Sequence, residues 1–175
     1  MSIRTDIRDQ MIAAIKAVTT APVVGPRNWP DDATKLPSTG LIIVQSPAQE
    51  SSKALVVGPP SYETHAIFPI TVRVARTAVS DADAALQALV DQIRAGIFSW
   101  LPFQQLIEQV ATIETRSAIA AEGNLQVGEA VILLETVFPE FYAPAPGVTL
   151  AEVQGTVADQ TSGTTLATFD LKLPT

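Results

Sequence analysis

Apolar residues Ile3, Ile7, Met11, Ile15 and Val18 recur at steps of three and four, with Ile12 and Ala14 beside them. That is the period of an amphipathic helix and predicts one over residues 2–18. Ser2 or Thr5 offers a side-chain oxygen to an orphan N–H of its first turn. A second stripe, Leu86, Leu89, Val90, Ile93 and Ile97, predicts a helix over residues 80–98. Ser80-Asp81-Ala82-Asp83 sets a cap and acidic residues at its positive end, and Gln87, Asp91 and Arg94 fall opposite the stripe.

Between the helices the period changes to two. In residues 64–76, Phe68, Ile70, Val72 and Val74 share one face while Thr71, Arg73 and Ala75 take the other. This predicts a strand. Pro69 has no N–H for a ladder, so the strand is expected to bulge there or to lie at an edge near that point. Upstream, residues 19–60 hold seven of the thirteen prolines and read mostly as connection, broken by short β-prone runs at 40–45 and 54–57. Beyond the Trp100-Leu101-Pro102-Phe103 break, strands are expected over 109–119 and 128–138, joined at Glu122-Gly123-Asn124. In the second of these, Ala130, Ile132, Leu134 and Phe138 alternate with Val131, Leu133, Glu135 and Val137, so both faces should be at least partly covered.

The pattern is that of an α+β domain over residues 1–142. It predicts a mainly antiparallel sheet of four to five strands covered by two amphipathic helices. After Tyr142 the sequence turns to Ala-Pro-Ala-Pro-Gly and then to Thr-rich chain with four charged residues. Residues 143–175 therefore read as a C-terminal β-arm, with 150–157 and 165–173 able to pair as a hairpin. An isolated hairpin is marginal in water, so the arm is expected to dock on a neighbour.

Composition sharpens this picture. The chain has 175 residues, enough for one core, with 47% apolar and 17% charged residues. A mean hydropathy of +0.26, without an apolar run long enough for a membrane span, points to apolar surface covered by protein partners. The Met-Ser-Ile-Arg-Thr-Asp start lacks the pattern of a secretory signal, which leads us to expect a protein made and kept in a cytoplasm. Cysteine is absent, which removes disulfides, thiolate metal sites and thiol nucleophiles. The net charge of −7 is spread out, and the sequence holds no Lys/Arg cluster of the kind that grips phosphates.

Candidate chemistry is sparse. The lone histidine, His65, would have to serve any Ser-His-Asp hydrolase with a serine and a carboxylate brought in by folding, and no Gly-x-Ser-x-Gly elbow is present. A satisfied surface histidine is the simpler expectation. Asp31-Asp32 and Asp81-x-Asp83 lack the ligand alternation of a calcium loop and read as loop and cap residues. No phosphate-binding glycine loop occurs, so no cofactor is expected. Trp29 and Trp100, both near prolines, fit either an interface anchor or the core.

The order of elements carries one resemblance. An amphipathic helix, a Pro-rich loop with Leu36-Pro37 running into Leu41-Ile42-Ile43-Val44, the long strand to Arg76, Ala84-Ala85-Leu86-x-x-Leu89-Val90-x-x-Ile93 and two closing strands together resemble the tail terminator (tail-completion) proteins of long-tailed bacteriophages. The resemblance covers residues 1–142 and implies a structural virion subunit without catalytic residues, cofactor or metal. It further implies a hexameric ring that caps the tail tube, ends tail polymerisation and joins the tail to the head. The implied partners are copies of the chain, the tail tube protein, a neck or head-completion protein and the sheath, with DNA passing through the lumen. The implied location is the tail-neck junction of a virion assembled in the host cytoplasm. Residues 143–175 depart from shorter members, and strand addition by this arm would place Val153, Val157, Phe169 and Leu171 as partner contacts, with Trp29 as a further anchor. The alternatives are another head-tail connector component, a small hydrolase using His65, and a monomeric binding module.

Overall fold

The computed structural model describes residues 2–26, 30, 33–54 and 61–142, together with the strands spanning residues 152–158 and 165–172. The chain divides into two compact units, Met1–Phe141 and Tyr142–Thr175.

The first unit is α+β. Helix α1 spans Ile3–Val18 and α2 spans Val79–Ser99, each burying the stripe its sequence carries. Ile7, Met11, Ala14 and Ile15 of α1 are buried, as are Leu86, Leu89, Val90, Ile93 and Ile97 of α2. Neither helix start is capped by a side chain. Ser2 occupies the N-cap of α1, but its backbone carbonyl, not its hydroxyl, takes the N–H groups of Thr5 and Asp6. Helix α2 begins one residue earlier than expected because Ala78 becomes the N-cap, its carbonyl accepting from the Ala82 N–H, while the Ser80 hydroxyl turns to Asp81. The break after α2 is itself a short helix, α3 (Leu101–Gln104), which buries Phe103.

Among the described residues the sheet is mainly antiparallel, as expected, but has six strands instead of four to five and is made mixed by one short parallel pair. The strands are β1 (Val23–Val24), β2 (Leu41–Val44), β3 (Gln49–Ala54), β4 (Ser61–Arg76), β5 (Gln109–Glu122) and β6 (Leu125–Phe141). Their order is β1-β2-β4-β6-β5, with β3 on β4. The additional strand β1 makes the one parallel pair among the described residues, setting Val23 beside Ile42. The strand expected over residues 54–57 falls, apart from Ala54, on residues outside those described. β3 ends at Ala54, and residues 55–60 fall outside those described. Its six residues are all exposed, so backbone pairing with β4 defines it and no apolar alternation could announce it.

Pro69 does not produce a bulge or place β4 at an edge. β4 is central, and its register with β6 runs unbroken from Ser61 opposite Phe141 to Arg76 opposite Gln126. On the other flank, β2 pairs with Leu41 opposite Arg73 through Val44 opposite Ile70, and β3 resumes with Gln49 opposite Ile67. Residues 45–48 thus face only Phe68 and Pro69. The Pro69 and Ile67 carbonyls accept from Gln45 and Ala48 on this side, so the missing donor points at the gap, where no ladder bond is required of it.

The even-numbered residues of β4 and β6 form the helix-covered face. Phe68, Ile70, Val72 and Val74 meet Ala130, Ile132, Leu134 and Phe138 there, under α1 and α2. Gly40, at φ +90°, turns the chain into β2 where a Cβ would press on the Arg73 carbonyl and on Val74 and Leu89.

In the second unit, β7 (Glu152–Ala158) and β8 (Thr165–Lys172) pair antiparallel as a separate two-stranded sheet.

Candidate interface surfaces

The sheet face opposite the helices presents the odd-numbered residues of β4 and β6. Ile67, Pro69, Val131 and Leu133 are half-buried there, between two clusters of charge. In one cluster His65 sits between two carboxylates, its Nδ1 3.0 Å from Glu135 Oε1 and its Nε2 3.3 Å from Glu63 Oε1. The β4–β6 register sets His65 opposite Val137 and Ile67 opposite Glu135, which brings the imidazole and the Glu135 carboxylate diagonally together. Thr112 of β5 donates to the other Glu135 oxygen at 2.7 Å. Hydrogen bonding to Glu135, then to Glu63, raises the His65 pKa above its ordinary 6.5. The Thr112 hydroxyl, then His65, holds Glu135 below the usual carboxylate value. With both ring nitrogens directed at carboxylates, the arrangement favours an imidazolium.

In the second cluster, Arg73 Nε lies 2.5 Å from Glu129 Oε2, and Arg116 Nε lies 2.7 Å from Glu114 Oε1. The Arg116 guanidinium lowers the Glu114 pKa by hydrogen bonding and charge. A cavity of 360 Å³ opens between these groups, lined by Arg73, Arg116, Ala118, Val127, Glu129 and Val131 among others.

A third network ties the first helix to the sheet. Glu140 of β6, almost fully buried, receives Arg4 Nη1 at 2.5 Å, Arg4 Nη2 at 3.0 Å and the Thr64 hydroxyl at 2.8 Å. Arg4 Nε reaches Glu50 of β3 at 2.6 Å, and Ser52 of β3 meets Thr64 at 2.9 Å. One guanidinium thereby links α1, β3 and β6. Sequence reading did not find this network, because Arg4 and Glu140 are 136 positions apart and nothing local marks either residue.

The longest exposed element is β5. It ends the sheet order, with β6 as its neighbour, and along its 14 residues only Val110, Ile113 and Ile119 are partly covered. A register shift between Val110 and Thr112 confines the irregularity to its start, leaving Thr112–Glu122 in continuous register with β6. A long edge without proline or lysine presents backbone groups that invite another strand.

Of the expected partner-contact residues, Trp29 lies outside the described residues, as do Asp31 and Asp32. Val153, Val157, Phe169 and Leu171 fall in β7 and β8, where the register sets Val153 opposite Leu171, Gly155 opposite Phe169 and Val157 opposite Ala167. Trp100 packs against the core and donates its indole N–H to Gln10 at 2.9 Å. Asp81 in the first turn of α2 and Asp83 just beyond it are both exposed, and among the described residues no group of three or more metal-ligating side chains converges. Among the described residues no helix is long and apolar enough to cross a membrane. Comparison with protein-family models and with curated proteins gives no match to this chain.

Proposed function

We propose that this chain is a structural subunit of a bacteriophage tail-neck junction, assembling into a ring that caps the tail tube, stops its polymerisation and joins it to the head. The observation that carries the reading is β5. An edge strand of 14 residues, exposed apart from Val110, Ile113 and Ile119 and unguarded by proline or lysine, is a liability in a monomer and a contact surface in an assembly. The element order of residues 1–142 supports the same reading through its resemblance to tail terminators. In this proposal the neighbours are further copies of the chain, the tail tube protein, a head-completion protein and the sheath, and DNA slides through a lumen without sequence-specific grip. The proposal assigns the chain no catalytic step, cofactor or metal.

Ring closure needs a head-to-tail contact repeated by rotation, in which a donor surface on one copy meets a different acceptor surface on the next. Negative-stain images of the purified chain, with light scattering across a concentration series, test the proposal. Rings and a mass that is a multiple of 18.5 kDa are expected. A mass that stays at 18.5 kDa at every concentration, with no ring in the images, refutes it.

A further inference from the structure

We infer that the acceptor surface is the outer edge of β5 and that its occupant is strand β8 of a second copy, added antiparallel with Asp170 opposite Arg116 and Lys172 opposite Glu114. The closing of such contacts into a ring rests on the function proposed above, whereas the strand pairing itself does not.

Three observations select this occupant. First, β7 and β8 form a two-stranded sheet of their own, and β8 uses one of its two edges for β7. A sheet of two strands is marginal in water, and addition to a larger sheet supplies what it lacks. Second, the lengths agree. The eight residues of β8 run from Thr165 opposite Ala121 to Lys172 opposite Glu114, inside the regular stretch of β5 that follows its irregularity. Third, charge fixes the register. Glu114 and Arg116 are two residues apart on β5, and Asp170 and Lys172 are two apart on β8, so an antiparallel match sets each charge opposite its complement.

The neighbouring registers are disfavoured by the same charges. A slip of two residues one way sets Lys172 opposite Arg116, and a slip of two the other way sets Asp170 opposite Glu114. A slip of one moves every β8 residue to the other face. Parallel addition with Asp170 at Glu114 brings Lys172 to Arg116, two like-charge pairs. Strand β7 carries Glu152 as its single charge and offers no comparable match. The Glu114–Arg116 pair is exposed, so its role here is to select register and partner more than to supply affinity. In the matched register Phe169 falls opposite Ser117 and Ala167 opposite Ile119, on the side of β5 that continues the helix-covered face.

The native sequence has no cysteine, so engineered thiols report without background. Full-length chains carrying Ala118→Cys and Thr168→Cys, opposite one another in this register, are mixed and oxidised. A disulfide-linked dimer is expected from the mixture, and several-fold less when Thr168→Cys is replaced by Asp170→Cys. Independently of thiols, Lys172→Glu is expected to weaken self-association measured by light scattering about two- to fivefold, and Glu114→Lys in the same chain to restore it. The inference is overturned by no dimer in the mixture, by equal dimer from Ala118→Cys alone, or by a doubly substituted chain that closes on itself instead. Rings in the images without the mixed cross-link sink the β5–β8 pairing and leave the ring reading standing. Cross-linked dimers without rings support the pairing and sink the ring.

Discussion

Replacing Arg4 by Met removes the guanidinium that joins α1 to β3 and β6. Glu140 is 8% exposed, and two of its three side-chain hydrogen bonds are lost while that from the Thr64 hydroxyl remains. Stripping one partner from a buried ion pair costs about 3–5 kcal/mol. Because Arg4 is 28% exposed and water can enter as it leaves, the expected cost here is about 2–3 kcal/mol. Glu140→Gln is milder, about 1 kcal/mol, since the amide still accepts from Thr64 and Arg4 retains Glu50. Urea denaturation of the two single variants and the double variant completes the cycle, and the double should be less damaged than the sum by about 1–2 kcal/mol. An Arg4→Met variant within about 0.5 kcal/mol of the native protein, the scale of an ordinary surface change, would refute the argument.

The single histidine gives one imidazole resonance, whose titration should have its midpoint above 6.5, and Glu135→Gln should bring it down. A raised histidine stabilises below its ordinary 6.5 and loses this as pH rises through its folded value. The lowered Glu135 stabilises above its ordinary 4.5 and loses this as pH falls through its folded value. The destabilisation caused by His65→Gln should therefore peak between pH 4.5 and 6.5; a flat profile contradicts the cluster. His65→Ala should leave assembly intact, and turnover of any substrate that depends on this imidazole would overturn the structural reading. Gly40→Ala should cost about 2–4 kcal/mol by thermal melting, because a Cβ at φ +90° would lie 2.9 Å from the Arg73 carbonyl. Gly123→Ala, at φ +60° with nothing within 4 Å, should cost only about 1 kcal/mol, and equal costs would discount the clash. Removing residues 143–175 should leave cooperative melting of the rest while abolishing rings; rings from the shortened chain would dismiss the arm.

Where a side chain's fate depends on its neighbours in sequence, the fold was legible. Both helices follow from their stripes, and β4 and β6 from alternation, because burial of one face imposes a period. β3 was not legible, since its six exposed residues, five of them polar, carry no period and only pairing with β4 makes them a strand. The expectation at Pro69 rested on a sound premise, the missing N–H. It misplaced the remedy, which lies in the partner strand and cannot be read from residues 64–76. The charge clusters of the candidate surfaces escaped for a similar reason. His65 joins Glu135 across 70 positions, a proximity set by strand register and not by any motif.

The four residues 45–48, which face only two of β4, have a practical use. Pairing of β2 ends at Val44 and that of β3 starts at Gln49, so extra residues inserted between Ser46 and Pro47 lengthen the slack without shifting either ladder. That makes the spot a natural place for a short epitope or a fluorescent label, with the chain's own sheet holding its two ends in place.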